Sequence, residues 1–169
     1  MTKQTLTNET SVRIEVIGRP RTKGSLEPVH VRVAPGKCRV SLKESGVYSV
    51  AWKKEMIRAI KSECYCERFE SAVVVDTFFR FENLCEPDQA MPWPTRAAGE
   101  FAHGDEDKLR RNALDALTQS GLILDDALVI GGFPFKRWCL EGEHPGVLIK
   151  VRAATEHDLQ IVYAMERLP

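Results

Sequence analysis

The chain has 169 residues, 43% of them hydrophobic and 28% charged, a balance typical of one soluble globular domain with a sizeable core. No apolar run approaches the length of a membrane span, and the polar start 1–10 lacks the features of a signal peptide and is expected to form a disordered tail. The five cysteines are odd in number and lack the spacing of a zinc site or a disulfide framework, which favours a reducing cytoplasm.

The first half of the chain predicts a strand, a hairpin and a helix. Apolar residues alternate at Val12, Ile14 and Val16, as in a half-buried strand. Two further runs, 29–33 and 38–42, flank Pro35 and Gly36 and predict a hairpin. The segment 48–61 has helical periodicity, with Trp52 on its apolar side, where a core position is favoured over a base-stacking one.

The second half alternates between strands and helices. The run 72–81 predicts a buried strand, whereas the proline-containing stretch 82–103 predicts an irregular loop. A helix is expected from about 105 to Gly121, followed by a short apolar run, 122–124, that is expected to form a strand ending at Asp125 and Asp126. Strands are expected at 128–135 and 147–152, and a capping box at 155–158 opens a last helix. This order predicts an α+β fold in which a mixed sheet is packed by helices, as a single domain over 1–169.

Charge is distributed unevenly although the net charge is zero. Residues 1–61 hold 13 lysines and arginines against 5 acidic residues, whereas residues 62–169 hold 11 against 19. Within the basic half, Arg19, Arg21 and Lys23 follow the first strand and have no acidic residue beside them in the sequence. Basic residues on loops can reach a phosphate backbone, so these three are candidate DNA contacts. An ordinary solvated basic face is the alternative interpretation.

Acidic residues bracket the helix that starts near residue 105. Asp105 and Asp107 lie at its start, and Asp125 and Asp126 follow the apolar run after Gly121. Each pair alone is compatible with a helix cap or a turn. Both pairs together could reach one rim of the sheet, where closely placed carboxylates would hold a divalent cation.

The combined spacing resembles the RusA-type Holliday-junction resolvases. The resemblance is close over 104–136 and looser around the first strand and the loop 19–24. It is carried by an Asp-x-Asp pair, a basic residue four positions on, an Asp-Ala-Leu-Thr run, a glycine, an Asp-Asp pair and a lysine. In this chain these are Asp105, Asp107, Arg111, 115–118, Gly121, Asp125, Asp126 and Lys136.

The resemblance implies a RusA-like fold and a set of site residues. Asp105, Asp107 and Asp126 would bind Mg²⁺, with Mn²⁺ as a substitute, and take part in the cut. Arg111 stands where the family has a lysine; it keeps the charge but does not lose its proton at working pH. Asp115 and Asp125 are candidates for a supporting layer around the metal ligands. Lys136 joins Arg19, Arg21 and Lys23 as a candidate DNA contact.

The sequence therefore predicts a Mg²⁺-dependent endonuclease that resolves four-way junctions or other branched DNA in recombination, repair or phage DNA processing. The expected assembly is a homodimer, because two matched cuts need two equivalent sites. The expected location is a bacterial or phage-infected host cytoplasm, with no membrane association. Two alternatives remain open: a branched-DNA-binding protein without cutting activity, and a related nuclease that acts on flaps or forks.

Overall fold

A computed structural model describes residues 11–24, 26–34, 37–44, 46–64, 67–83, 93–95 and 104–167. The expected tail 1–10, the Pro35–Gly36 turn and most of the expected loop 82–103 lie outside the described residues. The elements, in chain order, are β1 (Ser11–Ile17), β2 (Leu26–Ala34), β3 (Lys37–Glu44), α1 (Val47–Glu63), β4 (Val73–Phe81), α2 (Glu106–Ser120), a 3₁₀ turn (Asp126–Leu128), β5 (Val129–Gly131), β6 (Pro134–Trp138), β7 (Gly146–Ala153) and α3 (Glu156–Met165).

The main sheet is mixed, which confirms the predicted α+β class. Its strand order is β1-β7-β4-β5, and β6 also pairs with β4. The β1–β7 and β4–β7 pairs are antiparallel, whereas β5 and β6 run parallel to β4. The predicted hairpin forms a separate two-stranded sheet, β2–β3. Most residues of the central strand β4 are buried, as expected for a strand that has neighbouring strands along both edges.

One face of the sheet, which we call the inner face, carries the core. Successive side chains of a strand point to opposite faces, so Val73, Val75 and Phe79 of β4 share this face. They belong to a single buried cluster that includes Ile149 of β7 and the apolar sides of both α1 and α2. Trp52 is among these buried residues, which confirms the preference for a core position.

Two predicted strands differ from the structure. The stretch 128–135, predicted as one strand weakened by Gly131 and Gly132, forms two short strands separated at Gly132 and Phe133. Gly132 has φ +118°, and a Cβ there would lie 2.0 Å from the carbonyl oxygen of Val75, so the chain bends tightly against β4. The apolar run 122–124 makes only an isolated parallel bridge between Phe69 and Ile123, and Leu124 is exposed.

The helix ends follow the sequence signals in part. Gly121 terminates α2 with φ +86°, as predicted. Asp105 is the N-cap residue of α2, but its side chain makes no capping hydrogen bond. In α3, the Asp158 carboxylate accepts a hydrogen bond of 2.8 Å from the Thr155 backbone N–H, which confirms the predicted capping box.

The opposite face, here called the outer face, carries an ion cluster at one end. Arg80 of β4 is buried, and its guanidinium lies 2.7 Å from Glu15 and 3.3 Å from Glu143. Arg137 binds Glu143 through both of its terminal nitrogens, at 2.5 and 2.7 Å. The hydrogen bonds from Arg137, with smaller contributions from Leu140 N–H and Arg80, lower the pKa of Glu143 from 4.5 to about 2.

Replacing Glu143 should remove a pH-dependent part of the stability. A carboxyl group whose pKa is lower in the folded state stabilises fully above its unfolded pKa. This stabilisation is lost as the pH falls from about 4.5 towards about 2. We expect Glu143→Gln to lower the free energy of unfolding by about 1–2 kcal/mol at neutral pH, a value reduced for the partial exposure of Arg137. The difference from the wild type should shrink at about pH 2, where urea unfolding would measure it.

The exposed Arg68–Glu70 pair offers a matched control. Its side chains are 46% and 66% exposed, so Glu70→Gln should change the unfolding free energy by no more than about 0.5 kcal/mol. An equal effect of the two substitutions at neutral pH would contradict a special role for Glu143.

Candidate functional site

A cleft of about 480 Å³ lies between the start of α2 and the segment that leads into β5. Asp107 and Asp126 both line it, so the structure brings together two of the three predicted metal ligands. Asp107 lies in the first turn of α2. Asp126 begins the 3₁₀ turn that leads into β5, which pairs in parallel with β4 at Val73. The full lining is Glu106, Asp107, Arg110, Arg111, Leu114, Asp126, Val129, Ile130 and Gly131.

Arg111 lies beside Asp107 but is weakly held. Its Nη2 is 3.7 Å from Asp107 Oδ2, and the two side chains are 60% and 62% exposed. An exposed pair at this separation contributes little to stability. Because this pair is weak and the Arg111 guanidinium is exposed, the guanidinium is accessible to a phosphate that enters the cleft.

Asp105 is placed differently from the other two aspartates. Its carboxylate accepts a 2.9 Å contact from Lys108 Nζ, and it is not among the cleft-lining residues. The hydrogen bond from Lys108, then the charge of Lys108, lower the pKa of Asp105, and Lys136 adds to this. The Asp105 carboxylate is therefore ionised and exposed. Asp105 directly precedes Glu106, the first cleft-lining residue in the sequence.

Asp125 and Lys136 have structural partners. Asp125 Oδ1 accepts a 2.8 Å hydrogen bond from Ala127 N–H and caps the 3₁₀ turn that starts at Asp126. Lys136 Nζ donates to the carbonyl oxygen of Gly104 at 3.0 Å. Lys136 therefore links β6 to the residue before Asp105, and both contacts hold segments that carry candidate ligands.

The sequence interpretation missed Glu106 and Arg110, which also line the cleft. Arg110 Nη2 donates to the carbonyl oxygen of Gly131 at 3.2 Å, which joins α2 to β5. One carboxylate oxygen of Glu106 is buried without a hydrogen-bond partner. Asp107, Arg110 and Leu114 are three and four residues apart and therefore lie on one face of α2. This helical spacing could have identified Arg110 from the sequence, starting from Asp107.

The donor set suits a hard divalent cation. Mg²⁺ binds carboxylate oxygens and is often held by one or two carboxylates together with water and substrate phosphates. Asp107 and Asp126 supply two such carboxylates at one cleft. Among the described residues, no three His, Cys, Asp or Glu side chains are grouped closely enough to hold a metal ion by themselves. The two carboxylates of the cleft therefore suit a cation that takes its remaining ligands from water and substrate phosphates.

The basic loop 19–24 is fixed onto α2. Asn112 of α2 is fully buried, and its Nδ2 donates to the carbonyl oxygen of Arg21 at 3.0 Å. The backbone N–H of Lys23 donates to the carbonyl oxygen of Lys108 at 3.0 Å. A Cβ at Gly104 would lie 2.1 Å from the Thr22 methyl group, so the absence of a side chain there lets the loop approach. The loop and the acidic segment consequently form one packed unit.

Lys23 and Asp115 form an ion pair that the sequence analysis did not predict. Lys23 was thought to lack an acidic partner, but its Nζ lies 2.7 Å from Asp115 Oδ2, and Lys53 Nζ lies 3.7 Å from the same oxygen. Asp115 does not line the cleft; it holds the basic loop and α1 against α2. The pairing could not be read from the sequence because α2 follows the loop at a great distance along the chain.

Arg21 is half-buried beside Tyr48 of α1. Its guanidinium lies 5.1 Å from the centroid of the Tyr48 ring. Burial, followed by repulsion from Arg19, lowers the pKa of Arg21, although arginine stays charged at working pH. Two like charges held close together would gain from a phosphate between them.

No protein-family model matches the sequence, and no curated protein is significantly similar to it. Within the described part of the chain, every helix is too short or too polar to cross a bilayer.

Proposed function

We propose that the protein is a Mg²⁺-dependent endonuclease that cuts branched DNA, with the four-way junction as its substrate. The observation that supports this most is the meeting of Asp107, Asp126 and Arg111 in one cleft. Carboxylates provide ligands for a cation, and a guanidinium provides a contact for phosphate. The similarity of residues 104–136 to RusA-type resolvases supports the same activity.

In the proposed mechanism Asp107 and Asp126 would hold the cation, and Asp105, which pairs with Lys108 in this structure, would be the third ligand. A bound Mg²⁺ supplies activation of water and stabilisation of negative charge on the scissile phosphate. Arg111 leaves Asp107 and contacts a phosphate oxygen. Lys136 holds the backbone at Gly104, and its neighbouring charge favours ionised Asp105.

The basic loop is proposed to guide the DNA strand to this cleft. Asn112 and Asp115 fasten the loop to α2 at Arg21 and Lys23, so the loop is held on the helix that carries Asp107. A homodimer would supply the second cut of a two-fold-symmetric junction. Together these assignments describe a cytoplasmic DNA-processing protein. They are based on the resemblance and on the charge distribution.

Cleavage of labelled substrates tests the function directly. A labelled four-way junction, flap, fork and linear duplex would each be incubated with Mg²⁺, with Mn²⁺ and with a chelator. We expect cation-dependent cutting of the junction and little cutting of the duplex. Tight binding without cutting of any branched substrate would support the non-catalytic alternative, and preferential cutting of flaps or forks would replace the junction as substrate.

Arg111 should act as a fixed cation. We expect Arg111→Lys to retain much of the cutting rate, because lysine keeps the charge, and Arg111→Ala to lose at least ~10-fold. Arg111 is exposed, so neither change should affect folding. The pH dependence of cutting should have the same shape in the wild type and Arg111→Lys below about pH 9, where both side chains are charged. A new ionisation step near neutral pH in Arg111→Lys would show that this position transfers protons.

Arg19 and Arg21 should each contribute one phosphate contact. Alanine at either position should weaken junction binding and reduce the slope of log affinity against log salt by about 1. Arg58→Ala is the matched control, since Arg58 is exposed on α1 and paired with Glu55. An unchanged slope in both loop variants would leave the basic loop as solvated surface. Lys23→Ala should affect the packing of the loop as well as DNA binding. It removes the closer of the two lysines that pair with the half-buried Asp115 and leaves Lys53 at 3.7 Å.

A further inference from the structure

The outer face of the sheet carries a cluster of three phenylalanines, which we call the aromatic patch: Phe78, Phe133 and Phe135. The rings of Phe78 and Phe135, register partners on β4 and β6, are stacked with centroids 5.9 Å apart. The ring centroids of Phe133 and Phe135 are 6.2 Å apart. Phe133 is 63% exposed and Phe135 53% exposed. Clustered exposed aromatic rings are unfavourable in water and mark an interaction surface.

Cations accompany these rings. Lys150 Nζ lies 5.4 Å from the centroid of the Phe78 ring, and Arg13 is the register partner of Lys150 on β1. Among the described residues, neither cation forms an ion pair within 4.0 Å, although Asp76 is the register partner of Lys150 on β4. The Asp76 carboxylate accepts a hydrogen bond from Phe133 N–H at 2.9 Å, and Glu15 is paired with Arg80.

The aromatic patch and helix α2 lie on opposite faces of β6. Side chains alternate along β6, so Lys136 points to the side of α2, where it bonds to Gly104, and Phe135 points to the outer face. Within the described sheet, β6 pairs only with β4 and therefore lies at an edge. A DNA strand that passes from the α2 side of the sheet to the outer face would cross the edge at β6 to reach the aromatic patch.

We propose that the aromatic patch, with Lys150 and Arg13, binds unpaired bases of single-stranded DNA. Exposed rings stack on any base, and adjacent cations attract the phosphates that link those bases. A purely apolar partner would leave both cations without an ion-pair partner, whereas a nucleic-acid strand would contact the rings through its bases and the cations through its phosphates. The proposal rests on the proposed function only in that DNA is the ligand.

The test is binding of a fluorescent oligothymidylate to the full chain, without divalent cation. Loss of one stacking ring should weaken binding roughly 5- to 100-fold in Phe135→Ala and in Phe133→Ala. Phe135→Trp should bind at least as tightly as the wild type, because it keeps a larger stacking surface. Tyr163→Ala is the matched control, since Tyr163 of α3 is also 53% exposed, and its affinity should not change. An abasic strand of equal length should bind the wild type and the patch variants alike, because only phosphates remain.

Three outcomes would overturn the proposal. One is unchanged oligothymidylate affinity in the patch variants, and the second is an equal loss of affinity for the abasic strand. The third is a change of oligomeric state on sedimentation with base binding intact, which would make the patch a contact between two copies. If Phe135→Ala does not fold, Phe133→Ala decides, because that side chain is mostly exposed. Base-dependent binding that persists in a protein unable to cut any branched DNA would remove the proposed nuclease function and leave this site in place.

Discussion

Asp107→Asn and Asp126→Asn should each reduce cutting of a four-way junction by at least ~100-fold, comparable to the loss of a strong electrostatic contact to the transition state. Both carboxylates line the same cleft, and an amide is a much weaker ligand for Mg²⁺ than a carboxylate. Binding of the junction in the absence of cation should persist or tighten, because each substitution removes a negative charge that repels phosphate. Single-turnover cutting and binding, measured on the same variants, would separate the two effects.

Asp125→Asn is the matched control for these variants. Asp125 uses its carboxylate to cap the 3₁₀ turn, and asparagine caps almost equally well, so this variant should cut within a few-fold of the wild-type rate. Asp105→Asn should also lose cutting if Asp105 is the third ligand of the cation. Wild-type rates in Asp107→Asn or Asp126→Asn would show that the cleft is not the cutting site, and a wild-type rate in Asp105→Asn would remove that residue alone.

Gly132→Ala should unfold the protein or destabilise it by about 3 kcal/mol or more. The added Cβ would lie 2.0 Å from the carbonyl oxygen of Val75 and 2.4 Å from its carbon. These are backbone atoms of the central strand and cannot move aside without disturbing the pairing of β4. The positive φ of +118° adds the strain of a conformation that L-residues avoid. Thermal and urea unfolding would measure the loss.

Gly131→Ala is a control one residue away. A Cβ at Gly131 would meet no atom within 4 Å, and its φ lies outside the left-handed region. This variant should therefore fold with a stability within about 1 kcal/mol of the wild type. Equal stability of Gly132→Ala and Gly131→Ala would contradict the close approach of Gly132 to β4.

Local patterns in the sequence were sufficient to predict most of the elements. The alternation of Val12, Ile14 and Val16 predicted β1, the periodicity of 48–61 predicted α1, and Gly121 marked the end of α2. These features depend on residues within a few positions of one another, because side-chain direction and helix termination are set by the local backbone. The break at Gly132 depends instead on the neighbouring strand β4, so the local pattern predicted one strand where two occur.

The sequence by itself determined the acidic character of the site, the basic character of the loop 19–24 and the helix that joins Asp107 to Arg111. Only the tertiary structure decided that Asp126 shares a cleft with Asp107 and that Asp105 lies outside this cleft. It also decided that Asp115 binds Lys23 and that Asn112 holds Arg21, a residue 91 positions away. Sequence spacing specifies direction within one element, whereas the partner of a charged side chain depends on which elements the buried core brings together.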